Sequence, residues 1–179
     1  IYGRQYQTTN MWDDELSQII SLEAPHLSLY QLTIEENTRF YKLFKRDLLK
    51  GLPTTNIACE MYDITKRLCE EGAYKQYETS NFARKGFRCK HNLSYWKYND
   101  YIGIGPGAHG RIKISGKTYA TEEEKNPEIW FRKTVSPDPS TPAITPLDRR
   151  IVFEEKLIMN LRISEYIPIS MFDHKKLQP

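Results

Sequence analysis

Tyr74 to Gly110 reads YKQYETSNFARKGFRCKHNLSYWKYNDYIGIGPGAHG. Within it His, Asn, Tyr and Trp stand just ahead of a glycine-rich turn. Glycine lets a backbone come close to a ligand, while His and Trp supply ligation and stacking, so the stretch reads as a site in preference to a core segment. The rest of the chain is read outward from it.

Tyr74 to Glu78 reads as a short strand. Upstream, a helical pattern runs from Thr9 through Trp12, Leu16, Ile19 and Ile20, and HLSLYQL (26–32) alternates as a strand does. A second helical stretch spans Thr38 to Lys50 and closes at Gly51. A third is periodic through Ile57, Met61, Ile64 and Leu68 and ends at Gly72, whose missing Cβ suits a left-handed cap. Strands alternating with helices predict a parallel α/β sheet or barrel. Downstream, RIKISGKTYA (111–120) predicts two antiparallel strands about a Ser115-Gly116 turn, and Asn126-Pro127 starts a brief helix. Residues 136–146 carry four prolines and read as a linker between a first domain, 1–135, and the start of a mainly helical one, 147–179. In the latter, Thr145-Pro146 leads into a helix through Phe153, Leu157 and Leu161, and Ile169 to Pro179 begins another. Both ends read as cut.

Of 179 residues, 26 are Lys or Arg and 23 Asp or Glu. This balance gives no argument for nucleic acid. No apolar run approaches the roughly 18–20 residues of a bilayer span, and no secretory leader is visible, so the expectation is a cytoplasmic protein without a transmembrane segment. Cys59, Cys69 and Cys89 form no CxxC or CxxxCxxC array; the first two share one helix and read as buried small hydrophobes. Arg84, Lys85, Arg88 and Lys90 make a basic cluster suited to a carboxylate-bearing ligand or, equally, to solvent.

Gly105-Pro-Gly107-Ala-His-Gly110 matches GxGxxG, but an apparent strand follows where a dinucleotide fingerprint needs a helix. The glycines at 103, 105, 107 and 110 read instead as clearing a strand end, from which His109 projects either toward a ligand or into a hydrogen-bonded bulge. His91-Asn92-Leu93-Ser94-Tyr95-Trp96 has the residues to hold a flat aromatic ligand, with His91 and Tyr95 on one helical face; the alternative is a short capped helix with Tyr95 and Trp96 in the core. Glu78, Asn81, Asp100 and the pair Glu35-Glu36 are further polar candidates.

HLSLYQLTIEENT, GAYKQYETSNFARKG, CKHNLSYW and DYIGIGPGAHG, in this order, resemble the HemW-type haem chaperones, relatives of oxygen-independent coproporphyrinogen III oxidase among the radical S-adenosylmethionine proteins. The resemblance implies the C-terminal part of a partial (β/α) barrel followed by a small helical domain, with a 4Fe-4S cluster, S-adenosylmethionine and haem as cofactors or cargo. It makes His91, Asn92, Tyr95 and Trp96 the haem-binding motif, with His91 on the iron, and Thr33 and His109 S-adenosylmethionine contacts. The implied partners are haem or a porphyrinogen, acceptor haem proteins, and a separate N-terminal half carrying the cluster cysteines. The implied activity is haem delivery, with oxidative decarboxylation of coproporphyrinogen III as the alternative and no catalysis by this fragment alone. One departure stands out: Arg4-Gln5-Tyr6-Gln7 lies where relatives carry a Leu-Pro-Gly-Gln type of turn.

Overall fold

The computed structural model describes residues 1–136 and 142–165. These divide into two compact units, Ile1–Cys89 and a second from Lys90 onward. The first contains α1 (Thr9–Ser21), β1 (His26–Ser28), α2 (Arg39–Lys45), α3 (Thr55–Glu71), β2 (Lys75–Glu78) and β3 (Asn81–Ala83). The second contains α4 (Lys90–Trp96), β4 (His109–Ile114), β5 (Lys117–Glu122), α5 (Pro127–Thr134), β6 (Ala143–Pro146) and α6 (Arg149–Asn160).

The first unit forms because α1 and α3 each present one apolar stripe and bury it against the other and the sheet. Trp12, Leu16, Met61, Leu68 and Cys69 meet there with Tyr2, Leu27, Leu29, Tyr74 and Phe82. Thr8 and Thr54 cap the two helices by accepting from the amides of Met11 and Ile57. Inside the core the Trp12 indole N–H donates to Thr65 Oγ1 at 2.9 Å, and the Tyr2 ring stacks on Trp12 with centroids 5.0 Å apart. Burial pushes the Tyr2 phenol up to about 12. Stacking fixes Tyr2 so that its N–H donates to the Tyr30 carbonyl at 2.9 Å and its carbonyl accepts from Leu32 N–H at 2.8 Å, a parallel bridge between Tyr2 and Gln31.

That bridge is the one parallel pairing among the described residues. The three-stranded sheet runs β1-β3-β2 and is antiparallel at both pairings, contrary to the parallel sheet expected. For β2 and β3 the reason is connection length: Thr79-Ser80 alone joins them, and a parallel neighbour needs a crossover of about a dozen residues. The run 26–32 pairs first with β3, over His26–Ser28, and then, at Gln31, with Tyr2.

Other expectations shift locally. Helix α2 stops at Lys45, where Arg46, Asp47 and Leu48 N–H groups close back on Leu43 and Phe44 carbonyls with Asp47 at φ 54°. Gly72 is not left-handed; Ala73 carries the positive φ of 63°. Gly72 answers to space instead, since a Cβ there would fall 2.9 Å from Ile20 Cγ2. Cys69 is buried as expected, but Cys59 lies on the exposed side of α3. Tyr6, in the turn that departs from the resemblance, holds φ 61° and lays its ring over Gly51, so that a Cβ there would displace the ring.

In the second unit Ser115 and Gly116 both take positive φ, 49° and 79°, the primed turn that matches strand twist, and β4 and β5 pair from His109–Glu122 to Ile114–Lys117. Asn126 caps α5 through the amides of Glu128 and Ile129. Ala143–Pro146, expected as part of a linker, is edge strand β6 on β5; extended Ala-Ile-Thr pairs readily and Pro sits at its end, where a missing N–H is tolerated. Helix α6 starts at Arg149 with Asp148 as its cap, later than Thr145-Pro146. Residues 137–141 and the helix expected over 169–179 lie outside the described residues. No described helix is long and apolar enough to cross a membrane.

Candidate functional site

The HNxxYW residues lie on α4, and the helical repeat sorts them into two pairs. His91 and Tyr95 are four apart and meet edge to face, centroids 4.8 Å apart. Asn92 and Trp96 are likewise four apart and lie about 100° further round the helix. His91 is exposed, and its ring nitrogens make no hydrogen bond among the described residues. Tyr95 and Trp96 are half-buried.

Each pair is backed from elsewhere in the unit. Tyr101 packs on Tyr95 with centroids 4.3 Å apart, and burial raises the Tyr101 phenol. The Arg162 guanidinium lies 4.6 Å over the Trp96 ring, a cation–π contact. Trp96 Nε1 is buried without a hydrogen-bond partner, a polar atom whose burial costs free energy as it stands.

Tyr101 is held by backbone: its N–H donates to the Arg111 carbonyl at 2.7 Å and its carbonyl accepts from Arg111 N–H at 2.9 Å. The Arg111 side chain forks onto Glu155 of α6, Nε to Oε2 at 3.0 Å and Nη2 to Oε1 at 2.8 Å. The Tyr98 hydroxyl donates to the same carboxylate. Tyr98 stands two residues past α4, at φ 55°, as the left-handed residue that closes the helix end, its N–H donating to the Tyr95 carbonyl. Sequence reading missed Tyr98, Tyr101, Arg111, Glu155 and Arg162; Arg111 and Glu155 are 44 residues apart, and no local pattern links them.

The Arg111 hydrogen bonds hold the Glu155 carboxyl below the usual glutamate range. Because the folded value is the lower one, the stabilisation is complete above the ordinary value of about 4.5 and is lost as pH falls through the lowered value. Glu155→Gln is therefore expected to lower stability at neutral pH by about 1.5–3 kcal/mol, the worth of hydrogen bonds to a charged group. Urea midpoints measured from pH 7 down to 3 should converge with wild type in acid; parallel curves would contradict this.

Two of the four glycines have a different use from the one expected. A Cβ on Gly103 would fall 2.4 Å from the His109 carbonyl oxygen, and one on Gly110 would fall 2.3 Å from Thr121 Oγ1 and 2.9 Å from the Tyr101 carbonyl oxygen. These two glycines let the 101–103 segment lie against the β4–β5 hairpin. Gly105, at φ 112°, does face open space: a Cβ there would meet nothing within 4 Å. Strand β4 follows the glycines, so no helix N-terminus awaits a pyrophosphate.

Among the remaining candidates, Thr33 is exposed just beyond the Gln31 bridge, and His109 is exposed at the first residue of β4. Thr33 belongs to the first unit and His109 to the second. Glu78 and Asn81 are buried in a structural network: Glu78 Oε2 accepts from Asn81 Nδ2 and from Ser80 N–H, while Ser28 Oγ donates to Asn81 Oδ1 at 2.7 Å. Asp100 accepts from the Lys113 amide at 2.9 Å, which lowers its pKa, and pins the hairpin. Glu35 and Glu36 are exposed. Arg84 and Arg88 lie over the Tyr74 and Tyr77 rings in the first unit; Lys90 opens α4 in the second. No group of His, Cys, Asp or Glu among the described residues could hold a metal ion.

No family model matches the chain. Curated proteins do. It is 34% identical over 90% of its length to radical S-adenosyl methionine domain-containing protein 1, mitochondrial, of Danio rerio, covering 37% of that protein. It is 40% identical to the haem chaperone HemW of Haemophilus influenzae over 74% of this chain and 33% of that one. To the Escherichia coli HemW it is 41% identical over 66% and 30%. Among solved structures, the Escherichia coli coproporphyrinogen III oxidase HemN, a radical SAM enzyme, superposes on 99% of the chain and 42% of its own with a TM-score of 0.70 at 14% identity, which carries the fold. The two sheets are thus part of a radical SAM fold and not a closed barrel. The chain spans about a third of the length of the curated relatives it matches. Motifs, fold and identity agree that the chain belongs to the HemW-like radical S-adenosylmethionine family and matches its C-terminal portion.

Proposed function

We propose that this chain is the haem-binding portion of a haem chaperone that passes haem to acceptor haem proteins in the cytoplasm. The observation that carries the reading is α4: an exposed His91 whose ring nitrogens make no hydrogen bond among the described residues, backed edge-on by Tyr95, on a helix whose other motif face holds Trp96. An imidazole on a packed helix could hold haem iron through a ring nitrogen. Tyr95 keeps the ring from turning inward, Trp96 forms an aromatic wall on the neighbouring face, and Asn92 orients the motif. Lys90, beside His91, supplies a cation for a propionate.

Thr33 and His109, each exposed within its own unit, are two separate candidate S-adenosylmethionine contacts in this reading. S-adenosylmethionine would supply a reductively cleavable sulfonium. The three cysteines do not fit a 4Fe-4S cluster: they are not clustered, and burial pushes the Cys69 thiol up to about 12, far from the thiolate a cluster needs. No step is assigned to a cluster on this chain.

A haem titration followed at the Soret band tests the reading. Wild type should give a saturable one-to-one spectrum, and His91→Ala should abolish its ligated component with affinity falling at least tenfold. Equal binding by His91→Ala, or none by wild type, would overturn it. Anaerobic turnover of coproporphyrinogen III by a chain completed to the length of its relatives would favour the oxidase instead.

A further inference from the structure

The motif helix is short, two turns, and two turns do not hold an orientation by themselves. What fixes α4 is a relay of contacts from α6. The Glu155 carboxylate takes both arms of the Arg111 fork and the Tyr98 hydroxyl. Tyr98 is the left-handed residue just past α4, and its N–H donates back to the Tyr95 carbonyl. Arg111 in turn exchanges two backbone hydrogen bonds with Tyr101, and the Tyr101 ring lies on Tyr95, which lies on His91. A single side chain of α6 thus reaches His91 by two routes, through the end of its helix and through the ring that backs its neighbour.

The chemistry of the relay suits positioning. A bidentate Arg–carboxylate pair is planar and directional, so it constrains angle as well as distance. It is three-quarters shielded or more, with Arg111 and Glu155 side chains 20% and 25% exposed, so solvent screens it less than a surface pair. Lys156, the next residue of α6, lies over the Tyr98 ring with its ammonium 5.7 Å from the centroid, a second contact from α6 to the same residue.

We infer that Glu155 is a positioning residue for the haem ligand: by gripping Tyr98 and Arg111 it sets the direction in which α4 presents His91, and so the geometry and strength of ligation. The inference rests on the haem reading for its consequence, while the positioning itself is a property of the protein without haem. An alternative in which Glu155 only contributes stability predicts a lower melting point with an unchanged His91.

Two readouts on the full chain separate these. The first is the His91 ring Hε1 resonance in haem-free protein, assigned by its loss in His91→Ala; the Tyr95 ring, centred 4.8 Å away, gives it a ring-current shift. In folded Glu155→Gln, and in Tyr101→Leu, which leaves the Arg111–Glu155 pair intact and cuts the relay one step later, this shift should move toward the value of an unstructured histidine. The second is the haem titration, in which both variants should lose about tenfold in affinity with a broadened Soret band. An unmoved His91 resonance in both folded variants would overturn the inference whatever the haem result. A moved resonance with haem affinity unchanged would overturn it as a determinant of ligation. If wild type binds no haem while the resonance moves, the positioning stands and the haem reading is what has failed.

Discussion

Trp12→Ala is expected to cost the unit Ile1–Cys89 about 3–5 kcal/mol, the range for removing a buried tryptophan, and this approaches the whole stability of a small domain. Trp12 is 1% exposed at the centre of the contact between α1 and α3. Three losses coincide there. The indole volume becomes a cavity, the hydrogen bond to Thr65 is removed, and Tyr2 loses the ring on which it stacks. Thr65 keeps its own bond to the Met61 carbonyl at 2.8 Å, so its hydroxyl is not orphaned and the cost is mainly one of packing. Because Tyr2 carries the parallel bridge to Gln31, amide exchange at Leu32 should speed up more than exchange in β3. Urea unfolding followed by circular dichroism at 222 nm measures the first effect and hydrogen exchange the second. A loss below about 1 kcal/mol would show that the core collapses around the gap.

Gly110→Ala is expected to be the most damaging small substitution in the second unit. The added methyl would meet Thr121 Oγ1 at 2.3 Å, the Tyr101 carbonyl oxygen at 2.9 Å and Gly103 N at 3.1 Å. Thr121 can rotate its hydroxyl away, but the other two are backbone atoms and Tyr101 is locked to Arg111 by paired hydrogen bonds. Overpacking of this kind costs about 1–3 kcal/mol. The only relief is to push residues 101–103 off the hairpin, which draws Tyr101 from Tyr95. Thermal unfolding should show the cost. The fluorescence of Trp96, read in a background where Trp12 and Trp130 are Phe, should show the displacement. Unchanged fluorescence with lowered stability would place the strain in the hairpin alone.

Much of the fold was legible because its signals are local. The stripes of α1 and α3, the Asn126 cap and the Ser115-Gly116 turn each lie within a few residues and need no partner to be recognised. Strand β3 was missed because Asn81-Phe82-Ala83 is three residues long and buries a polar side chain. Strand β6 was hidden by prolines on either side. The antiparallel sheet could have been found from Thr79-Ser80, a link too short for a crossover. At the site, His91 with Tyr95 followed from helical spacing, whereas Arg111, Glu155 and Arg162 are brought to α4 by tertiary structure and leave no trace in the pattern around it.

The division of HNxxYW into two faces bears on whether the motif is portable. Its six residues carry no geometry of their own: His91 points where it does because Tyr101 stands behind Tyr95, and Trp96 is covered because Arg162 lies over it. Grafted onto a helix of another protein, the hexapeptide would reproduce the identities and lose the wedge. The smallest transferable unit is α4 with the 98–111 segment, one face of α6 and Arg162 just past its end, and a designer of haem-carrying scaffolds would have to move all four.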